Sequence, residues 1–116
     1  MSAVAELAVP RAEAIARLND QLRKTATGGT IMVTKGVLAI SGYNSLELAE
    51  ALAAYDAFDA ENDPHGERDF GDSPLWGEEI FWKIDYDDVD LKFGSDDPAD
   101  PNKTKRVLTV MLMSEW

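Results

Sequence analysis

The chain has 116 residues, of which 45% are hydrophobic, 22 acidic and 11 basic, for a net charge of −11. A chain of this length forms one domain that buries roughly two-thirds of its unfolded surface. Its charge argues against direct binding to nucleic acid or anionic membranes, whose phosphates it would repel. The absence of cysteine excludes disulfides and thiolate metal sites, and no apolar run approaches the ~18 residues of a membrane span.

Residues 1–9 are mildly apolar, carry Glu6 and lack a basic run, so they read as an N-terminal arm and not as a secretion signal. A cytoplasmic protein is expected, with residues 10–116 as its single domain. Pro10 suits a first helical turn. From Arg11 to Lys24, Ile15, Leu18 and Leu22 share one helical face, and Arg23 and Lys24 suit the C-terminal end of the dipole. Gly28-Gly29 ends that helix. Thr30–Thr34 and Val37–Ile40 read as a hairpin turning at Lys35-Gly36. Asn44 is an N-cap with Glu47 three residues on, opening a helix that runs to about Phe58 with Leu48, Leu52 and Tyr55 inward.

Asp59–Gly66 is turn chemistry. A strand is expected at about 67–72, then a connection through Ser73–Gly77. The clearest strand is Glu79–Tyr86: Ile80, Trp82, Ile84 and Tyr86 point one way, and Phe81, Lys83, Asp85 and Asp87 the other. Leu91–Phe93 adds a short edge strand. Asp100-Pro101 is a helix start signal, and Val107, Leu108, Met111 and Leu112 recur at helical spacing, although Val107, Thr109 and Val110 are β-formers. The order α-β-β-α-β-β-(β)-α gives an α+β domain: an antiparallel sheet of two hairpins packed with about three helices.

The charge is concentrated. Residues 56–100 carry 16 acids against Arg68, Lys83 and Lys92, a net of −13, while residues 1–55 are balanced and 101–116 net +2. The acidic stretch holds aromatic residues and the only histidine, unlike a disordered acidic tail. If Phe70 shares a face with Trp82, then Asp69 faces Lys83, Glu67 faces Asp85, and His65 and Asp63 enter at the edge of one outer cluster.

Two chemistries compete there. Asp63, His65, Glu67 and Asp69 on one face of an extended segment could hold a transition metal, or with Lys83 and Asp85 supply a general acid/base pair. Pro64 and Gly66 interrupt that segment, and an exposed turn in which Asp63 caps backbone N–H groups is the weightier reading. The acids after Asp85 do not fit a calcium loop, because glycine at position six and glutamate at position twelve are missing. Asp69-Phe70-Gly71 resembles the kinase magnesium motif, but a Gly-rich loop and a paired Lys and Glu are missing. Trp76 and Trp116 are possible partner anchors, since tryptophan is enriched at interface hot spots.

Asn62-Asp63-Pro64-His65-Gly66-Glu67, Asp69-Phe70-Gly71, Phe81-Trp82-Lys83-Ile84-Asp85-Tyr86, Asp97-Pro98-Ala99-Asp100-Pro101 and Arg106-Val107-Leu108-Thr109 together resemble the bacterial family "domain of unknown function 3768". The resemblance runs from about Arg17 to the C-terminus. It implies an alphaproteobacterial family, often borne on plasmids or mobile elements among anti-restriction genes, and it implies no activity. The expectation is a protein-binding module without a cofactor. Its acidic surface of Asp63, Glu67, Asp69, Asp85, Asp87, Asp88, Asp90, Asp96 and Asp97, with Trp76, would meet a basic, nucleic-acid-handling protein by imitating DNA, whose charges recur every ~1.7 Å of axis. Asp56, Asp59 and Glu61 extend that surface. The alternative is an enzyme or metal site at Asp63, His65, Glu67 and Asp69.

Overall fold

Strand formers prevail at the C-terminal end of the chain. In a computed structural model, which describes residues 10–116, the last long element is a strand and not the expected helix. The helices are α1 (Arg11–Thr25), α2 (Lys35–Leu38) and α3 (Ser45–Ala54); the strands are β1 (Thr30–Val33), β2 (Phe70–Leu75), β3 (Glu78–Asp87) and β4 (Lys105–Leu112), and a single 3-10 turn follows at Met113–Glu115. The arm expected at residues 1–9 lies outside the described residues.

The α+β class and the number of helices are as expected, although α2 stands in place of the helix expected at the C-terminal end. The sheet is mixed, in the order β1-β4-β3-β2. β2 and β3 form the expected hairpin, and β4 lies antiparallel to β3. β1 runs parallel to β4 and has no hairpin partner of its own. The residues assigned to its return strand instead form α2, because Thr34 accepts a hydrogen bond from the Val37 N–H and caps a helical turn. Leu91–Phe93 forms no strand; only a single bridge joins Asp87 to Gly94.

α1 and α3 pack on one face of the sheet. Ile80, Trp82 and Ile84 of β3 meet Leu22, Leu48, Leu52, Leu108 and Val110 there. Asn44 caps α3 as its sequence requires, its Oδ1 accepting from the Leu46 and Glu47 N–H groups at 3.0 Å each. α3 stops at Ala54, so Tyr55 and Phe58 reach the core from the following loop. Arg23, which lies off the apolar stripe at the C-terminal end of α1, is nonetheless buried.

The hairpin register differs by one residue from the expected one. Phe70 lies opposite Lys83, and Gly71 lies opposite Trp82. Phe70 therefore faces away from Trp82, and Asp69 does not face Lys83 or Glu67 face Asp85. The lack of a side chain at Gly71 explains the shift: a Cβ there would sit 2.7 Å from the Trp82 ring and from the Tyr55 ring. Only glycine leaves room for the indole, so the notch fixes the pairing.

Candidate functional site

The His65 segment is folded by its turns. Asp59 Oδ1 accepts from the N–H groups of Glu61 and Asn62 at 2.9 Å each, and the Asn62 side chain donates to the Ala57 carbonyl at 2.8 Å. Asp63 Oδ1 accepts from the Arg68 N–H at 3.0 Å. Gly66 and Arg68 both have positive φ, of 70° and 53°. The segment is therefore not extended, and Asp63, His65, Glu67 and Asp69 do not share a face. Among the described residues no group of three or more His, Asp or Glu side chains is placed to hold a metal ion.

The members of the expected cluster do not converge on one point, although Asp63, His65 and Glu67 are near enough to act on the charge of Asp69. His65 is exposed. Glu67 points under α1, where its Oε1 accepts from the Tyr86 hydroxyl at 2.8 Å. The same hydroxyl accepts from Asn19 Nδ2 at 2.8 Å, and Asn19 Oδ1 accepts from Arg106 Nε at 2.9 Å. Burial, reinforced by the Glu67 hydrogen bond, pushes the Tyr86 phenol far above its ordinary range. This chain of bonds satisfies a buried asparagine and a buried arginine, and its geometry is that of a structural tie. Lys83 pairs with Asp85 at 3.4 Å on the opposite side of the sheet.

Asp69 is half-buried, and its own carbonyl accepts from the Ile84 N–H at 2.8 Å. Burial raises its carboxyl above the ordinary range, and the charges of Glu67 and Asp63 add to the rise. A carboxyl raised in the folded state binds its proton more tightly than in the unfolded chain, so ionising it weakens the fold as pH climbs through the raised value. Asp69→Asn is accordingly expected to lift the melting temperature by a few degrees at neutral pH, with the gain shrinking as pH falls below the ordinary aspartate range. Thermal melts of both proteins across pH 3–8 check this, and a variant less stable than the parent at neutral pH would contradict it.

Asp20 shows the opposite sign. Burial raises its carboxyl, but hydrogen bonds from Arg68 and Arg23 outweigh that and hold it below the ordinary value. Its contribution is present above the unfolded pKa and is lost as pH falls through the folded one.

The far end of β3 and the loop after it carry a run of acids without ion pairs among the described residues. Asp88 Oδ1 accepts from the N–H groups of Asp90 and Lys92 at 3.1 and 3.0 Å, which fixes the turn. Asp87 stands opposite Lys105 in the ladder but closes no ion pair with it. Among the described residues Asp87, Asp88, Asp90 and Asp96 have no salt-bridge partner, whereas Asp97 pairs with Arg11 at 3.4 Å.

Trp76 is half-buried, with its ring edge-on to Tyr43 at 5.2 Å, so it belongs to the margin of the core. Trp116 is the exposed one, at 66%. Sequence reasoning missed the role of Phe70, which the one-residue register shift brings to the outer face beside Phe81 and Trp116. The signal was Gly71, the one position in that strand without a side chain to oppose Trp82.

A small α+β domain with carboxylates unpaired at one end of its sheet is therefore the class that fold and site define. The chain belongs to the family described as "Protein of unknown function (DUF3768)", whose model matches residues 33–115. No curated protein and no solved structure matches it. The matched span covers α2, α3 and the strands β2, β3 and β4, and leaves α1 outside.

Proposed function

We propose that the protein is a protein-binding module whose acidic end docks on a basic surface of a partner that handles nucleic acid, occupying it as DNA would. An inhibitor of a restriction or other defence nuclease, carried on mobile DNA, is the specific form of that reading. The observation that carries it is the set Asp87, Asp88, Asp90 and Asp96, which have no counter-ion among the described residues. Asp88 holds its turn through backbone hydrogen bonds, so the backbone that carries Asp88 and Asp90 has little left to order on binding. The surface is narrower than the sequence implied, because Glu67 is bonded to Tyr86 and Asp97 is paired with Arg11. The metal reading loses support because, among the described residues, Asp63, His65, Glu67 and Asp69 are not placed to hold an ion together.

Neutralising Asp87, Asp88 and Asp90 together to asparagine tests it. Tagged wild type is expected to retain a nucleic-acid-handling protein from host lysate and release it at moderate salt, since exposed charges are screened within ~10 Å at 0.1 M. The triple variant, folded by circular dichroism, is expected to retain about tenfold less or below. Equal retention by the folded variant would refute the proposal.

A further inference from the structure

The sheet face turned away from α1 and α3 carries an apolar hollow. Phe70, Phe81, Met113 and Trp116 line a shallow cavity of about 180 Å³. The Phe70 and Phe81 rings lie 6.2 Å apart, and Trp116 stands edge-on to Phe70 at 5.3 Å. Lys83 Nζ lies 5.5 Å from the Trp116 ring centroid, so the indole has an aromatic and a cationic neighbour while 66% of the residue stays exposed. Met113 is also 66% exposed.

Two carboxylates flank this hollow. Asp72 is opposite Phe81 in the ladder, and Glu79 is two residues before Phe81, so both project to the same side. The nearby Asp72 carboxylate favours the protonated form of Glu79 and raises its carboxyl above the ordinary value. Among the described residues neither has a salt-bridge partner. A cation placed between them would relieve their repulsion.

We propose that this face docks a segment of a partner protein that presents a bulky apolar side chain beside an arginine or lysine. The apolar group enters the hollow against Trp116, and the cation bridges Asp72 and Glu79. Charge selects this occupant over two others. A second copy of the chain would bring a like net charge of −11 and a second Asp72–Glu79 pair to the interface. Residues 1–9 are apolar enough to fill the hollow but carry Glu6 and no basic side chain. Trp116 is preset by Phe70 and Lys83, so little side-chain freedom is lost when it is covered.

The test is a panel of short immobilised peptides with a central Trp, Leu or Ala flanked by Arg, Gln or Glu, probed with the full chain. Peptides joining Arg to Trp or Leu are expected to bind, and those with Ala or Glu are not. Trp116→Ala is expected to weaken binding about tenfold or more. Asp72→Asn with Glu79→Gln is expected to abolish the preference for Arg over Gln and flatten the salt dependence. The variant neutralised at Asp87, Asp88 and Asp90 is expected to bind these peptides like wild type, which separates this face from the acidic end. Binding that ignores Trp116→Ala, or that follows the acidic-end variant, overturns the proposal. So does a dimer in sedimentation that Trp116→Ala abolishes, since the second copy would then be the occupant.

Discussion

Trp82→Ala is expected to cost about 3–5 kcal/mol, the range for deleting a buried aromatic side chain and leaving a cavity. Trp82 is 1% exposed and lies at the centre of the helix-facing layer. Tyr55 and Phe58 stand edge-on to it at 5.6 and 6.1 Å, and the Arg23 guanidinium lies 5.8 Å from its ring. Gly71 is kept bare to admit it. Neighbours fixed on four sides cannot collapse into the space, so the loss falls at the upper end of the range. Domains of this kind have about 5–15 kcal/mol in total, which leaves the alanine variant close to unfolding. Trp82→Phe is expected to be much milder, because the indole Nε1 is buried without a hydrogen-bond partner and its removal relieves an unsatisfied donor. Urea midpoints for the two variants check the contrast. Near-equal losses would mean that the aromatic contacts matter less than indole volume.

The parts legible in the sequence are those set by local pattern. Alternation in β3 was plain because its two faces meet different surroundings, core on one side and the open face on the other. The Asn44 cap and the apolar stripe of α1 are likewise local. β4 was misread because it is a central strand with buried residues on both faces: Leu108 and Val110 on the helix side, Met111 on the other. Such a strand loses its alternation, and Val107, Leu108, Met111 and Leu112 then imitate a helical stripe. The β-branched content of Val107, Thr109 and Val110 was the better guide. Asp100-Pro101 was a true turn signal assigned to the wrong element, since Asp100 Oδ1 accepts from the Asn102 N–H at 2.9 Å without a helix following.

The parallel pairing of β1 with β4 joins Thr30 to Val107, and no local signal carries a contact that distant in sequence. In the candidate site, Asp63 as a turn-forming cap was legible from Asp-Pro and Gly. The positive φ at Arg68 was not, because arginine seldom adopts it. That one residue turns Glu67 toward Tyr86 and breaks up the cluster that alternation would have made.

Arg23→Ala is expected to cost about 3–5 kcal/mol, although the sequence gives Arg23 no more than a favourable place at a helix end. Its Nη1 donates to the carbonyls of Leu52 and Tyr55 at 2.8 and 2.9 Å, where α3 ends and its last carbonyls lack intrahelical donors. Its Nη2 donates to Asp20 Oδ1 at 2.9 Å, and Asp20 in turn holds Arg68 at 2.8 Å. One guanidinium thus ties α1 to the end of α3 and, through Asp20, to the loop before β2. Truncation leaves two carbonyls without this donor and opens the space beside Phe58 and Trp82. Lysine cannot serve both ends, because a single ammonium lacks the planar fork that reaches carbonyls and carboxylate together, so Arg23→Lys is expected to recover less than half of the loss. Asp20→Asn is expected to cost less than Arg23→Ala at neutral pH, and the difference between that variant and wild type should shrink as pH falls below the lowered Asp20 value. Each kcal/mol shifts the melting temperature of a domain near this size by roughly 4–8 °C, so a drop of only a few degrees in Arg23→Ala would show that water replaces the guanidinium at the end of α3.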